Sequence, residues 1–157
     1  MIKEDGELDS IFKMFSKLFT GEVSDESDIA GQSYLERDKL DYSFSSLKLI
    51  DIYLDKITQE RDKYSQNELE NTVLWCGAYI GEVIKLKQKD DYVWESYESY
   101  TDRNPEVKEV LPCGFTTRTL LVSRSNGKAM TMPINKVFRF LTEGDEHNIY
   151  FYVEGIA

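Results

Sequence analysis

Apolar residues recur at three- and four-residue steps in two long stretches of the chain, and this spacing predicts two helices. The apolar face of the first, over residues 43–60, is formed by Leu47, Ile50, Leu54 and Ile57. The second, over residues 71–84, is apolar around most of its circumference, so we expect it to be the buried central helix. Ser65, followed three residues later by Glu68, has the order of a capping box and marks its start. Because only a short polar turn separates the two helices, we expect an antiparallel pair.

Three residues in the central helix are unusual for such a position. Gly77 and Gly81 lie about one turn apart, and each costs about 1 kcal/mol of helix propensity relative to alanine. We therefore expect another helix or the sheet to approach closely at these glycines. Glu82 is a carboxylate inside the apolar run, and burying it unpaired is costly. It should lie at the solvent edge or pair with Arg118, Arg139 or a backbone amide; the alternative is a general acid or base in a cleft.

The N-terminal part of the chain has a different pattern. A short amphipathic helix with a phenylalanine-rich face is predicted from Asp9 to Phe19. Residues 20–32 are acidic, small and aperiodic, which is typical of a linker or loop. We therefore divide the chain into an N-terminal helix with its linker (1–32) and a single α+β domain (33–157). The helix either docks on this domain or is a detachable arm that binds a partner or a second copy.

Beyond Lys89 the pattern changes to short stretches with partial alternation, which is typical of strands. Strands are predicted over residues 92–100, 107–111, 116–123, 128–132 and 148–153, with a type I′ hairpin turn at Ser125-Asn126-Gly127-Lys128. A short helix should begin at Pro133 and end at Gly144, with inward residues Ile134, Val137, Phe138 and Leu141. The predicted fold class is α+β: an antiparallel helix pair plus short helices packed on one face of a four- to five-stranded, mainly antiparallel sheet.

Several of these segments resemble a family of small bacterial proteins and domains. The segments are Leu40-Asp41-Tyr42-Ser43, Gly77-Ala78-Tyr79-Ile80-Gly81-Glu82-Val83-Ile84, Trp94 and Pro133-Ile134-Asn135-Lys136-Val137, followed by Leu141 and Gly144. In that family a Gly-Ala-Tyr-(Leu/Ile)-Gly-Glu-Val helix precedes a tryptophan-containing strand, and a Pro-led helix ends in glycine before a last aromatic strand. The resemblance covers about residues 40–153, and its distinctive part is Gly-Ala-Tyr-Ile-Gly-Glu. It implies a fold but no activity and no catalytic residues.

Composition restricts the kinds of partner that we expect. The chain has 157 residues, a formal net charge of −10 and 41% hydrophobic residues. This charge disfavours nucleic acid and anionic membranes as partners and is compatible with a basic protein, or simply with solubility. Residues 1–5 do not resemble the start of a signal peptide, so a cytoplasmic protein with two reduced cysteines is expected. Two cysteines and one histidine without ligand-like spacing predict no metal and no cofactor.

Catalytic patterns are equally weak. His147 is the only histidine and lies in an acidic turn, so a nucleophilic triad is not expected. Aromatic residues interleaved with acids after Lys89 are suited to a cationic protein surface, although an ordinary edge strand has the same pattern. The predicted partner-binding residues are Tyr92, Trp94, Glu95, Tyr97, Glu98 and Tyr100. A possible pocket for a small ligand would involve Tyr79, Glu82, Arg118 and Arg139.

Three functional hypotheses follow from these observations. The first is a cytoplasmic protein-binding protein, such as an immunity-type inhibitor that covers the basic surface of a toxin or nuclease. The second is a small-ligand-binding protein or enzyme with a pocket at Glu82 and Tyr79. The third is a structural interaction module that attaches through the phenylalanine-rich N-terminal arm.

Overall fold

The computed structural model describes residues 6–156, which form six α-helices and three β-strands. The helices are α1 (Gly6–Thr20), α2 (Leu47–Gln59), α3 (Gln66–Lys87), α4 (Tyr97–Arg103), α5 (Pro133–Glu143) and α6 (Ile149–Glu154). The strands are β1 (Tyr92–Ser96), β2 (Thr119–Ser123) and β3 (Met130–Thr131). Short 3-10 turns occupy Gln32–Tyr34, Arg37–Lys39, Phe44–Ser46, Arg61–Lys63, Pro105–Glu109 and Asp145–His147.

Both the capping box and the central position predicted for α3 are confirmed. The predicted capping box is present, since Glu68 N–H donates to Ser65 Oγ (3.1 Å) and Ser65 N–H donates to the Glu68 carboxylate (3.0 Å). The closest neighbours of α3 among the described helices are α1 and α5, whereas α2 packs against α5 and α6. Because α3 is apolar on nearly every side, it packs against several other elements of the fold. The predicted antiparallel pair of α2 and α3 is therefore not the main helical layer.

Both glycines in α3 permit close contacts, as their spacing predicts. A Cβ atom on Gly77 would lie 2.8 Å from Ile134 Cα at the start of α5. A Cβ atom on Gly81 would lie 2.1 Å from Cζ2 of Trp94 on β1. Real Cβ atoms essentially never come this close to another heavy atom, so a larger residue at either position would require its neighbour to move.

The N-terminal helix α1 packs against α3 through its phenylalanine face. Phe12 stacks on Trp94, with ring centroids 4.4 Å apart, and Phe19 is fully buried beside Tyr79. The following segment, predicted to be a linker, is anchored at its end, because Ala30 is fully buried and its N–H donates to Thr72 Oγ1 (2.8 Å). In this structure α1 therefore forms part of the same hydrophobic core as α2 and α3.

The sheet is smaller than predicted. Within residues 6–156 it has three antiparallel strands in the order β1-β2-β3, with Trp94 opposite Leu121 and Leu121 opposite Thr131. The prediction of a four- to five-stranded sheet is therefore wrong, and the described chain is mostly helical, at 62% when the 3-10 turns are counted with the α-helices. The segments predicted as strands but observed as helix or 3-10 turn are 97–100, 107–109 and 149–153.

Local capping explains two of these errors. Ser96 Oγ accepts a hydrogen bond from Ser99 N–H (3.1 Å) and so caps the start of α4. For this reason β1 ends at Ser96. Asn148 Oδ1 accepts from Phe151 N–H (2.9 Å) and begins α6. A serine or asparagine that caps free N–H groups favours a helix even where the following residues are aromatic. In short apolar stretches this local signal outweighs weak alternation.

The two faces of the sheet are both covered, not one face as predicted. Tyr92, Trp94 and Leu121 belong to the large core formed with the helices. On the opposite face, Leu120 and Val122 pack with Tyr100 of α4 in a second, smaller cluster. This second layer exists because residues 97–109 fold back as α4 and a 3-10 turn instead of extending the sheet.

The end of α5 and the hairpin between β2 and β3 are as predicted, but the type of the hairpin turn is not. Gly144 ends α5 with a φ angle of 103°, which favours glycine. The turn between β2 and β3 closes with a hydrogen bond from Ala129 N–H to the Asn126 carbonyl (3.0 Å). Neither Asn126 nor Gly127 has a positive φ angle, so the predicted type I′ turn is wrong.

Candidate functional sites

The aromatic stretch predicted to bind a partner does not form an exposed surface. Four of its aromatic residues and one acid are at least 92% buried: Tyr92, Trp94, Glu95, Tyr97 and Tyr100. Only Glu98 of the six predicted residues is exposed. The tyrosine hydroxyls also have internal partners, since Tyr97 donates to the Leu111 carbonyl and Tyr100 to the Lys128 carbonyl (both 2.6 Å). This surface prediction is corrected: the residues are brought together in the interior, where they join α4 to the sheet.

Glu95 has a structural partner that the sequence did not indicate. Its carboxylate is 1% exposed and accepts two hydrogen bonds from the Arg103 guanidinium (2.7 and 2.8 Å) and one from Ser99 Oγ (2.7 Å). Burial by itself would raise the pKa of Glu95, but the hydrogen bonds from Arg103 and Ser99 outweigh it and hold the pKa below its ordinary value. Arg103 also donates to the Gly127 carbonyl (3.0 Å), so the pair connects β1, α4 and the hairpin turn.

Glu82 lies in a groove between α1 and the C-terminal half of α3, which we call the lysine groove. Its volume is about 290 Å³, and its lining includes Lys13, Lys17, Glu22, Tyr42, Glu82, Lys85 and Asp90. The Glu82 carboxylate accepts a hydrogen bond from Trp94 Nε1 (3.2 Å) and lies 3.4 Å from Lys85 Nζ. Glu82 is thus at a partly exposed edge and paired, as expected, but its partners are a tryptophan and a lysine.

The two arginines predicted beside Glu82 are not part of this groove. Arg139 is exposed on α5 and pairs with Glu143 (3.2 Å). Arg118 is exposed near the start of β2, where its carbonyl accepts from Tyr97 N–H (2.9 Å). The predicted pocket therefore contains one of its four residues in the lining and a second, Tyr79, directly behind it.

Tyr79 holds the wall of the lysine groove. Its hydroxyl accepts from Tyr42 N–H (2.8 Å) and is hydrogen-bonded to Ser46 Oγ (2.7 Å). Burial raises the pKa of Tyr79 to about 12, so this hydroxyl stays protonated at neutral pH. Tyr42 itself has a φ angle of 64°, and Asp90 at the groove has 63°. A left-handed backbone costs a non-glycine residue about 1–2 kcal/mol, and such strain occurs often at binding sites.

A second groove, between α3 and α5, is apolar. We call it the aromatic groove; its volume is about 310 Å³ and its apolar lining consists of Leu69, Val73, Phe115, Phe138 and Leu141. The two phenylalanine rings are half-exposed, at 41% for Phe115 and 44% for Phe138. Polar residues complete its lining, namely Arg61, Gln66, Glu70 and Thr142.

The sequence analysis did not identify the aromatic groove, although one signal was present. The predicted α5 had four inward apolar residues, and Phe138 was counted among them. In the structure Ile134, Val137 and Leu141 are buried, whereas Phe138 stands at the edge of this stripe. Phe115 comes from the distant segment before β2, and no local pattern shows that it lies beside α5.

Three side chains near the end of α5 bring possible metal ligands together. One ligand atom from each of Glu143, Glu146 and His147 lies within 4.8 Å of the others. Lys136 Nζ lies 3.1 Å from His147 Nδ1, and its positive charge opposes a cation there. Both carboxylates are exposed. The arrangement is what a solvated acidic turn produces, and it gives no reason to assign a metal centre.

Comparisons of the chain with known protein families, with curated proteins and with solved structures found no match. The described helices include none whose length and apolar character would allow it to cross a membrane. The functional assignment therefore rests on the two grooves and their chemistry.

Proposed function

We propose that this protein binds a basic protein partner and that the aromatic groove receives an apolar side chain of that partner. The observation that supports this most directly is the pair of half-exposed phenylalanines, Phe115 and Phe138, on either side of an apolar floor. Aromatic rings around a pocket with a polar rim are the usual composition of the centre of a protein interface. This groove replaces the buried aromatic stretch after Lys89 as the proposed contact surface.

Charge supports a basic partner. The chain has a net charge of −10, and Glu70 lies in the groove lining. Glu143, which directly follows the lining residue Thr142, is exposed but already paired with Arg139 (3.2 Å), so Glu70 is the carboxylate of the lining that faces a partner. The one basic lining residue, Arg61, donates a hydrogen bond to the Leu141 carbonyl. Acidic groups around an apolar centre attract a basic surface and orient it, and they raise the association rate more than they raise the affinity.

An immunity-type inhibitor is the form of this function that we propose. A nuclease must present a positively charged cleft in order to hold the phosphate backbone of its substrate. A small acidic protein that receives an apolar side chain of the nuclease in a groove and covers this cleft would block it. In this proposal the aromatic groove supplies burial, and Glu70 together with the net negative charge of the chain supplies the charge complementarity.

The experiment is an affinity capture from host lysate with three matched baits. They are the wild type, the double variant Phe115→Ser/Phe138→Ser and the control Phe151→Ser. Phe151 is 66% exposed on α6, and the aromatic groove lining does not include it, so the control removes an even more exposed ring elsewhere. We expect one basic protein to be retained by the wild type and the control and to be lost by the double variant. The captured protein is then purified and titrated against each bait by calorimetry.

The salt dependence of the affinity distinguishes electrostatic attraction between the two proteins from apolar contact in the groove. The affinity of the purified pair should fall as salt concentration rises, because exposed charges are screened within about 10 Å at 0.1 M ionic strength. Equal binding by the double variant and the wild type would refute the groove as the contact surface. A partner that is acidic, or an affinity that does not change with salt, would refute the electrostatic part of the proposal.

A further inference from the structure

The lysine groove contains two lysines that form no ion pair within the described part of the chain. Lys13 and Lys17 lie one turn apart on the same side of α1. Within residues 6–156 neither lysine has a carboxylate oxygen within 4.0 Å. Two like charges at this spacing destabilise a helix, so the stability of α1 does not explain why both lysines lie on this side.

The other lysine in the groove is already paired. Lys85 Nζ lies 3.4 Å from Glu82 and 3.5 Å from Asp9, and its side chain is only 17% exposed. This leaves Glu22 and Asp90 as the groove's remaining carboxylates, and both residues are exposed, one in the segment after α1 and one in the turn after α3. The groove thus has two unpaired ammonium groups on the α1 wall and two exposed carboxylates from the adjoining loops.

The wall between these charges is held in place. Tyr42 Oη lies 3.2 Å from Ser16 Oγ on α1, while its N–H donates to Tyr79 (2.8 Å). Phe12, one turn before Ser16, stacks on the fully buried Trp94. Ser16 is buried and its hydroxyl also donates to the Lys13 carbonyl (2.8 Å). The partly exposed Tyr42 hydroxyl therefore is the neutral hydrogen-bonding group that this wall offers beside the charged ones, a combination that is usual in a small-molecule site.

We propose that the lysine groove binds a small zwitterion, whose anionic group is held by Lys13 and Lys17 and whose ammonium group is held by Glu22 and Asp90. Its volume of about 290 Å³ corresponds to about ten water molecules at about 30 Å³ each. A free α-amino acid, with a carboxylate and an ammonium group close together, has this size and charge pattern. The site is separate from the aromatic groove, because the two linings share no residue.

The test is a titration of the 15N-labelled protein followed by NMR. The probes are the common L-α-amino acids one at a time, with O-phosphoethanolamine as a second arm that carries a phosphate in place of the carboxylate. Propionate and ethylammonium are the controls with one charge each. We expect a zwitterion to shift the amide signals of Ser16, Tyr42 and Lys85 and to leave those of Leu69 and Val73 in the aromatic groove unchanged. The tighter of the two, the amino acid with its carboxylate or O-phosphoethanolamine with its phosphate, identifies the anionic group that the groove prefers.

Two lysine variants test the assignment of the anionic end. Lys13→Gln and Lys17→Gln should each weaken binding about tenfold, because a hydrogen bond to a charged group contributes about 1.5 kcal/mol or more. Lys108→Gln, an exposed lysine on the 3-10 turn after α4, is the matched control and should bind as the wild type does. Binding of propionate as tight as that of the zwitterion, wild-type affinity in both lysine variants, or no binding by any probe at millimolar concentration would overturn the proposal.

Discussion

Replacing Gly81 by alanine tests a close helix-to-sheet contact, that of α3 with Trp94 on β1. The added methyl group would lie 2.1 Å from Cζ2 and 2.6 Å from Cη2 of the Trp94 indole. The indole cannot move away easily, because it is 1% exposed, stacks on Phe12 and donates a hydrogen bond to Glu82. The substitution should therefore destabilise the protein even though alanine is the better helix former.

The expected magnitude combines two opposing effects. Inserting a methyl group into a packed core typically costs about 1–3 kcal/mol, and occasionally more. Here the overlap is severe, so the upper part of this range applies. Alanine in place of glycine returns about 1 kcal/mol of helix propensity. The net loss should be about 2 kcal/mol, which for a chain of this size lowers the melting temperature by about 4–8 °C.

The assay is urea unfolding followed by circular dichroism, with two comparisons. Gly114→Ala is the matched control, because a Cβ atom there would meet nothing within 4 Å and the φ angle is not positive. This control should be neutral or slightly stabilising. The second comparison places Gly81→Ala in a Trp94→Phe background, where the ring that carries Cζ2 and Cη2 is absent. In that background the alanine should cost much less, giving a coupling free energy of about 1 kcal/mol or more.

Two results would refute this reasoning. One is an unchanged or higher free energy of unfolding for Gly81→Ala alone, because the overlap would then be relieved without cost. The other is an equal loss in the wild-type and Trp94→Phe backgrounds, because the loss would then not arise from the indole. A change in the slope of the unfolding curve would show instead that the folded or unfolded ensemble had changed.

Three further predictions concern buried polar groups and thiols. Glu95→Gln should lower the free energy of unfolding by about 3 kcal/mol, because it leaves the Arg103 charge without its carboxylate. The folded-state pKa of Glu95 is below its ordinary value of 4.5, so the contribution of Glu95 to the free energy of unfolding is present above pH 4.5 and is lost as the pH falls through the lowered pKa. The variant should lack this part of the acid dependence, which urea unfolding between neutral and acidic pH measures. Tyr79→Phe should cost about 1–2 kcal/mol and accelerate hydrogen exchange of the Tyr42 amide, which loses its acceptor; an unchanged exchange rate would contradict this. In the native protein a thiol reagent should modify exposed Cys113 quickly and buried Cys76 only on unfolding, because burial raises the pKa of the Cys76 thiol well above its ordinary value. Fast modification of both thiols in the native protein would contradict this prediction.

The candidate sites could be predicted only in part from the sequence. Glu82 was identified because a carboxylate inside an apolar helix requires a partner, and this reasoning depends on one residue and its neighbours. Its partners Trp94 and Lys85 could not be chosen over the arginines, because that choice depends on which elements pack beside α3. The lysines of α1 and the phenylalanines of the aromatic groove were missed for the same reason.

The aromatic stretch after Lys89 illustrates where the sequence pattern was ambiguous. Tyrosines interleaved with acids are compatible with an exposed binding strand and with a buried strand followed by a helix. The bond from Ser99 N–H to Ser96 Oγ and the ion pair of Glu95 with Arg103 select the buried strand followed by a helix. The hydrogen bond is a local contact that a capping pattern could have indicated. The ion pair spans eight residues and depends on α4 folding back over the sheet.

By itself the sequence determined the features that depend on neighbouring residues. These are the helix spacing of α2, α3 and α5, the capping box at Ser65 and the glycine that ends α5. The tertiary structure decided the number of strands, the neighbours of α3, the burial of Glu95 and the location of both grooves. The physical reason is the range of the interactions: helix periodicity and capping involve residues within about four positions, whereas strand pairing and groove lining join residues that are far apart in the chain. Short amphipathic stretches can satisfy either local pattern, and the packed core determines which one forms.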